Sequence, residues 1–163
     1  LYIVIDKYPE TLLMYKHLIE KQKPELDILY IADSSTNFPL KAHCIDLHLD
    51  FFAANEHNFY HNTFLYERMT PFLKEHADLI GTYFYFSHAQ KSMRSLLSQY
   101  PECSANNFSL SYFKNSLAES DFILKDCESL DALTDSGNNL GFGFHQKGEK
   151  MYLMPYNAQK TGQ

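Results

Sequence analysis

The sequence predicts an α/β fold: a mostly parallel sheet with helices on both faces, closed by an antiparallel hairpin at the carboxyl end. Three observations predict it. Apolar runs that end in aspartate alternate with segments of helical period, the order of a parallel sheet built through helical crossovers. Those runs are apolar at nearly every position, as strands buried on both faces are. The chain has 163 residues, 45% hydrophobic and 21% charged, which is one domain's length with enough apolar surface for a packed core.

The elements follow in order. Leu1-Tyr2-Ile3-Val4-Ile5 is an apolar run ending at Asp6. Pro9 sits where the first turn of a helix tolerates proline, and Leu12, Tyr15 and Ile19 recur at helical spacing until Pro24. Ile28 to Ala32 is a second strand ending at Asp33, and Cys44 to Leu49 a third ending at Asp50. A helix is expected over Phe64 to Glu75 and a fourth strand over Leu79 to Phe86. Further helices are expected over Ser92 to Tyr100 and Leu110 to Ala118. Phe122-Ile123-Leu124 and Met151 to Met154 read as the closing antiparallel pair. Lys147 to Lys150 has the composition of a turn, and Asp131 to Asn139 that of a loop. No repeat or linker divides residues 1–163, so a single domain is expected.

Composition narrows the partners. Fourteen Lys and Arg against 20 Asp and Glu leave a net charge of −6, and the densest basic stretch, Lys16 to Lys23, also holds Glu20. Phosphate binding needs clustered cations, so direct nucleic-acid contact is not expected. No apolar run approaches the roughly twenty residues that span a bilayer. Three cysteines without CxxC spacing suit reduced thiols and a cytoplasmic location. Aromatics stand out, with 12 Tyr and 13 Phe and no Trp.

The order of acidic strand ends carries a resemblance. Asp6-Lys7-Tyr8-Pro9-Glu10-Thr11-Leu12 resembles the segment after the second strand of Rossmann-like S-adenosylmethionine-dependent methyltransferases, where an acidic residue precedes a Ser-Pro-Glu-x-Leu helix start. Ala32-Asp33 with Phe38-Pro39-Leu40 resembles that family's Ala-Asp and Leu-Pro-Phe elements, and Ile45-Asp46-Leu47 its Phe-Asp-x-Val strand opening. Leu73 to Phe86 falls where the family has a helix end, a turn and its fifth strand. Two departures stand beside these matches. The chain reads as beginning at the family's second strand, hence as an N-terminally truncated domain without the first strand and its glycine-rich loop. Glu75-His76-Ala77-Asp78 replaces the Gly-Gly before the fifth strand. In the family the first strand lies between the second and fourth, so the sheet is expected to close that gap, borrow a strand or be altered.

The resemblance implies a methyltransferase-like domain using S-adenosylmethionine on a small molecule. The alternative is a non-catalytic cofactor- or metabolite-sensing domain of a transcriptional regulator, and a third reading is an α/β domain sharing only the acidic strand ends. A homodimer is left open. Asp6 would accept both ribose hydroxyls of the cofactor, or else cap the following helix or pair with Lys7. Asp33 would accept the adenine amino group with the Ser34 backbone supporting the ring, or else form an Asx turn. Lys7 would cover adenine with its stem, or else lie exposed.

Asp50 and His48 are the candidates for a general base if the acceptor must lose a proton; the competing reading of Asp50 is a loop or helix-cap residue. Phe51, Phe52, Phe59 and Tyr60, with Phe64, would line an apolar acceptor pocket, whereas Tyr83 to Phe86 read as core. Glu56-His57 with His61 has HxxxH spacing, but lacks the HExxH order and a nearby Cys. Its asparagine-rich surroundings favour loop histidines and no metal.

Overall fold

The computed structural model describes residues 1–33, 38–51, 53–61, 63–86, 94–95, 97–102, 108–133 and 151–162, with backbone alone at 56, 58–60, 131–133 and 151. It divides into two compact units, Leu1–Leu40 and Lys41–Gln163. Among the described residues no helix is long and apolar enough to cross a membrane.

The first unit is a βαβ element. Strand β1 (Tyr2–Asp6) and strand β2 (Ile28–Ala32) pair in parallel, from Tyr2 opposite Ile28 to Asp6 opposite Ala32. Helix α1 (Pro9–Gln22) connects them, with Pro9 in the first turn, Glu10 at its positive end and Lys21 at its negative end. Leu12 is its buried residue. A groove of about 500 Å³ lies between α1 and the strands, lined by Tyr2, Val4, Leu18, Ile19, Leu26 and Ile28 among others. Its lining includes Tyr2 and Ile28 at the start of the strands, and neither Asp6 nor Asp33.

The second unit is a five-stranded sheet with helices. Its strands are β3 (Ile45–Phe51), β4 (Leu73–Phe86), β5 (Phe122–Cys127), β6 (Leu130–Leu133) and β7 (Met151–Lys160). They run in the order β3-β4-β7-β5, with β6 also on β7. β3 and β4 are parallel, whereas β7 runs antiparallel to β4, β5 and β6. The helices are α2 (Ala53–Tyr60), α3 (Leu65–Met69), a 3-10 turn (Thr70–Phe72) and α4 (Leu110–Glu119). Helix α4 is capped by Ser109 Oγ accepting Tyr112 N–H and buries Phe113, Ser116 and Leu117, a spacing that makes one face.

The α/β class and the carboxyl-terminal antiparallel pairing stand as expected. Among the described residues β1 pairs with β2 in one sheet, and β3 pairs with β4 in another. Four local expectations are corrected. The helix expected through Glu75 ends as α at Met69, because Pro71 has no N–H for the next helical bond. The fourth strand consequently begins at Leu73, not Leu79. His57, expected to be a loop histidine, lies in helix α2. The expected loop from Asp131 begins as strand, since β6 extends to Leu133 on β7. Of the helix expected over 92–100, residues 94–95 and 97–99 are helical and 92, 93 and 96 lie outside the described residues, as do the turn at 147–150 and the rest of the expected loop.

Candidate functional site

In the first unit, parallel pairing brings two carboxylates to the same end of neighbouring strands. Asp6 ends β1, and the Asp33 N–H just past β2 donates to the Asp6 carbonyl oxygen at 3.1 Å, extending the ladder by one step. The Asp6 side chain points back onto its own chain, Oδ1 accepting Tyr8 N–H at 2.8 Å. This is a turn ahead of α1, whose cap position, Tyr8, makes no side-chain cap bond, and it engages one of the two carboxylate oxygens. Lys7 is exposed, with Nζ 4.9 Å from the centre of the Tyr8 ring, a cation–π contact. Ser34 lies outside the described residues.

In the second unit, β3 runs through Phe51, so alternation puts Asp46, His48 and Asp50 on one face and Leu47, Leu49 and Phe51 on the other. Asp50 is 1% exposed. Its Oδ1 accepts Ala53 N–H at 2.6 Å and its Oδ2 accepts Ala54 N–H at 3.2 Å, which caps α2. The Tyr66 hydroxyl donates to Oδ2 and is itself hydrogen-bonded to the Tyr156 hydroxyl. Both oxygens are thus engaged inside the core, and the cap reading of Asp50 is the one the geometry realises.

Burial pushes the Asp50 carboxyl up, against the pull of the Tyr66 hydroxyl, His48 and the two amides. Burial likewise lowers His48, against the pull of Asp50. The His48 ring meets Tyr66 edge-on at 6.0 Å, and its buried Nε2 has no hydrogen-bond partner among the described residues. Tyr66 and Tyr156 are both held well above the usual phenol range, first by burial and next by the charge of Asp50.

The expected acceptor pocket does not assemble from the described side chains. Phe51 is 73% exposed on the face opposite Asp50, beside Leu49, whose strand partner Ile80 is also exposed. Phe64 is core, edge-on to Tyr66 at 5.0 Å and to Phe113 at 5.9 Å. Phe52 and the side chains of Phe59 and Tyr60 lie outside the described residues. Tyr83, Phe84 and Phe86 are buried, as expected of core. His57 in α2 and His61 just past its end have ring centres 4.6 Å apart, and His57 Nε2 lies 3.2 Å from Thr63 Oγ1. Burial, then the neighbouring His61 and Arg68, lower His57 to about 4.

Sequence reasoning missed four buried polar residues. Tyr66 and Tyr156 looked like two more rings in an aromatic-rich chain, and only the fold brings residues 66 and 156 together. Asn55 carried no signal beyond weak helix propensity. Lys160 is 8% exposed, with Nζ donating to the carbonyls of Thr70 at 3.0 Å and Leu73 at 3.1 Å, where a cation suits the negative end of a helix.

No family model and no curated protein sequence matches the chain. Solved structures do. A methyltransferase from Methanosarcina mazei, described as S-adenosylmethionine-dependent, matches with a TM-score of 0.70 at 14% identity, over 99% of this chain and 82% of that one. The geranyl diphosphate C-methyltransferase of Streptomyces coelicolor, solved with Mg²⁺, geranyl diphosphate and S-adenosylhomocysteine, matches with a TM-score of 0.70 at 9% identity, over 98% and 64%. The [4+2]-cyclase SpnF matches with a TM-score of 0.65 at 10% identity, over 99% and 66%. The chain has the Rossmann-like methyltransferase fold. The cyclase shows that this fold also carries a reaction of a different name.

Proposed function

We propose that residues 1–163 form one methyltransferase domain that uses S-adenosylmethionine to methylate a small molecule. The observation that carries this reading is the pairing of Asp6 and Asp33 at the carboxyl end of a parallel βαβ element, in a chain whose fold matches such enzymes. The chemistry of the two side chains suits an adenosine. A diol and an exocyclic amine are hydrogen-bond donors, and two neighbouring carboxylates are acceptors. Asp6 would take the ribose diol through the oxygen that Tyr8 does not engage, and Asp33 the adenine amino group, with the Ser34 backbone beside the ring. The solved neighbours support a small-molecule acceptor, because one of them is a geranyl diphosphate methyltransferase. The comparisons give no support to the regulator alternative. The odd number of cysteines without CxxC spacing supports a cytoplasmic workplace.

Bound there, the cofactor would supply an electrophilic methyl group on a sulfonium. What the chain must add is position and exclusion of water, since an in-line displacement gains most from a held geometry. Asp50 and His48 serve this reading as core rather than as bases.

Titration with S-adenosylmethionine followed by amide NMR tests the cofactor half. The expected result is shifts at Asp6, Lys7 and Asp33 that weaken at least about tenfold in Asp6→Ala, the loss of roughly one charge-assisted hydrogen bond. Binding that leaves those amides unmoved would refute the assignment. Transfer of labelled methyl to an acceptor panel separates a methyltransferase from another chemistry on the same fold.

A further inference from the structure

The two faces of the second unit's sheet are furnished differently. Tyr66 of α3 and Phe113 of α4 pack on the face that carries Asp50, Tyr83 and Tyr156. Strand alternation and register put Leu47, Leu49 and Phe51 of β3, Ile80 of β4, Ile123 of β5 and Leu130 of β6 on the other. Those six range from 41% exposed at Leu130 to 73% at Phe51. Among the described residues they are all but one, Tyr100, of the large apolar side chains that this unit exposes. Phe108 stacks on Phe84 at 5.0 Å and so covers one end of this face.

The alternation is the reverse of that on a solvated sheet. β3 turns His48 and Asp50 inward and its two leucines and Phe51 outward, where a water-facing strand would do the opposite. A face built this way asks for a cover.

Area and charge indicate which cover fits. Six large side chains about half exposed leave on the order of 500 Å² of apolar surface, and the positions between them bring the face near the roughly 800 Å² that each partner buries in a specific interface. A two-fold partner meets the same face that it presents, so a block of one charge there would repel itself. This face has no such block. Thr82, Pro155 and Asn157 lie between the apolar side chains, and Asp78 already accepts Gln159 Nε2 at 3.2 Å. At the β5 bulge Lys125 precedes Asp126, so the charge there has both signs. Clustered cations, which a nucleic acid or an anionic bilayer would need, are not among these residues.

We propose that this face joins two copies of the chain in an isologous dimer, sheet against sheet, with Ile80 near its centre. Sheets stacked in this way interdigitate their apolar side chains about 10 Å apart. None of these residues belongs to the proposed cofactor site, so the dimer and that site can fail independently.

Sedimentation velocity of the full chain between about 1 and 100 μM reads the oligomeric state. The expected result is a dimer at the upper end that dissociates on dilution. Ile80→Glu would bury one charge from each copy, and should weaken the dimer at least about tenfold. Leu18→Glu, at an exposed position of α1, should leave it unchanged. Circular dichroism shows whether each variant keeps the fold. A wild-type chain that stays monomeric at the highest concentration would overturn the dimer, whatever else the face then binds. So would an Ile80→Glu dimer of wild-type strength, or an equal weakening by Leu18→Glu. If Ile80→Glu does not fold, Phe51→Glu decides: a weakened dimer supports the interface, and an unchanged one refutes it.

Discussion

The side chain of Asn55 makes both hydrogen bonds that a neighbouring strand would make to Phe84. Its Nδ2 donates to the Phe84 carbonyl at 3.0 Å and its Oδ1 accepts the Phe84 N–H at 3.1 Å. The need arises from unequal strand lengths. β3 ends with Phe51 opposite Thr82, whereas β4 continues to Phe86. Phe84 therefore lies in the core beyond the reach of its parallel neighbour, and a buried backbone amide without a partner is costly.

Asn55→Ala should cost about 3 kcal/mol, because it leaves a buried donor and acceptor unsatisfied together. Urea unfolding checks this. Asn55→Asp should restore the bond from the Phe84 N–H but not the one to its carbonyl, and so recover at most part of the loss.

Gly81→Ala should be more damaging than an ordinary glycine replacement in a strand. A Cβ there would overlap the Tyr156 hydroxyl and stand 2.7 Å from the Asp50 carbonyl oxygen. The expected cost is about 1–3 kcal/mol, as for other overpacked cores. Adding Tyr156→Phe should relieve little of it in thermal unfolding, since the ring carbon and the Asp50 carbonyl remain in the way.

His57 should make the fold sensitive to acid. Its folded value lies near 4, below the ordinary 6.5, so its neutral form contributes stability above 6.5 that is lost as pH falls towards about 4. His57→Gln should flatten that part of the stability profile. The comparison must be made against wild type at each pH, because Asp50 titrates with the opposite sign.

His76 holds a left-handed conformation, with φ of 60°, in the segment that replaces the Gly-Gly of the family it resembles. His76→Gly should therefore stabilise the chain by about 1 kcal/mol by removing the strain of a side chain there. A lower melting temperature in that variant would show that the imidazole makes a compensating contact.

Much of the architecture was legible because its signals are local. β1, β2 and α1 lie where apolar runs, aspartates and prolines put them, and α4 is set by its apolar spacing. The misreadings share one cause. Residues 53–60 have weak helix propensity, and α2 is held instead by the Asp50 cap from β3 and by the bonds from Asn55 to β4. The start of β4 at Leu73 depends on Ile45, its distant pairing partner, and on Pro71 stopping the helix. Asp6 and Asp33 were readable as strand ends, and their adjacency needed only the parallel rule. The cluster of Asp50, Tyr66 and Tyr156 was not readable, because its members lie on three separate elements.

The sequence by itself determined the α/β class, the order of the elements and the two acidic strand ends, since each rests on the period of a short segment. Only the tertiary structure decided that Asp50 is a buried cap joined to Tyr66 and Tyr156, that Asn55 stands in for a strand, and that Phe51 faces away from both. The physical reason is that a buried polar group must find its partner wherever the fold supplies one. In this chain the partners of Asp50, Asn55 and Lys160 come from strands and helices that are remote in sequence.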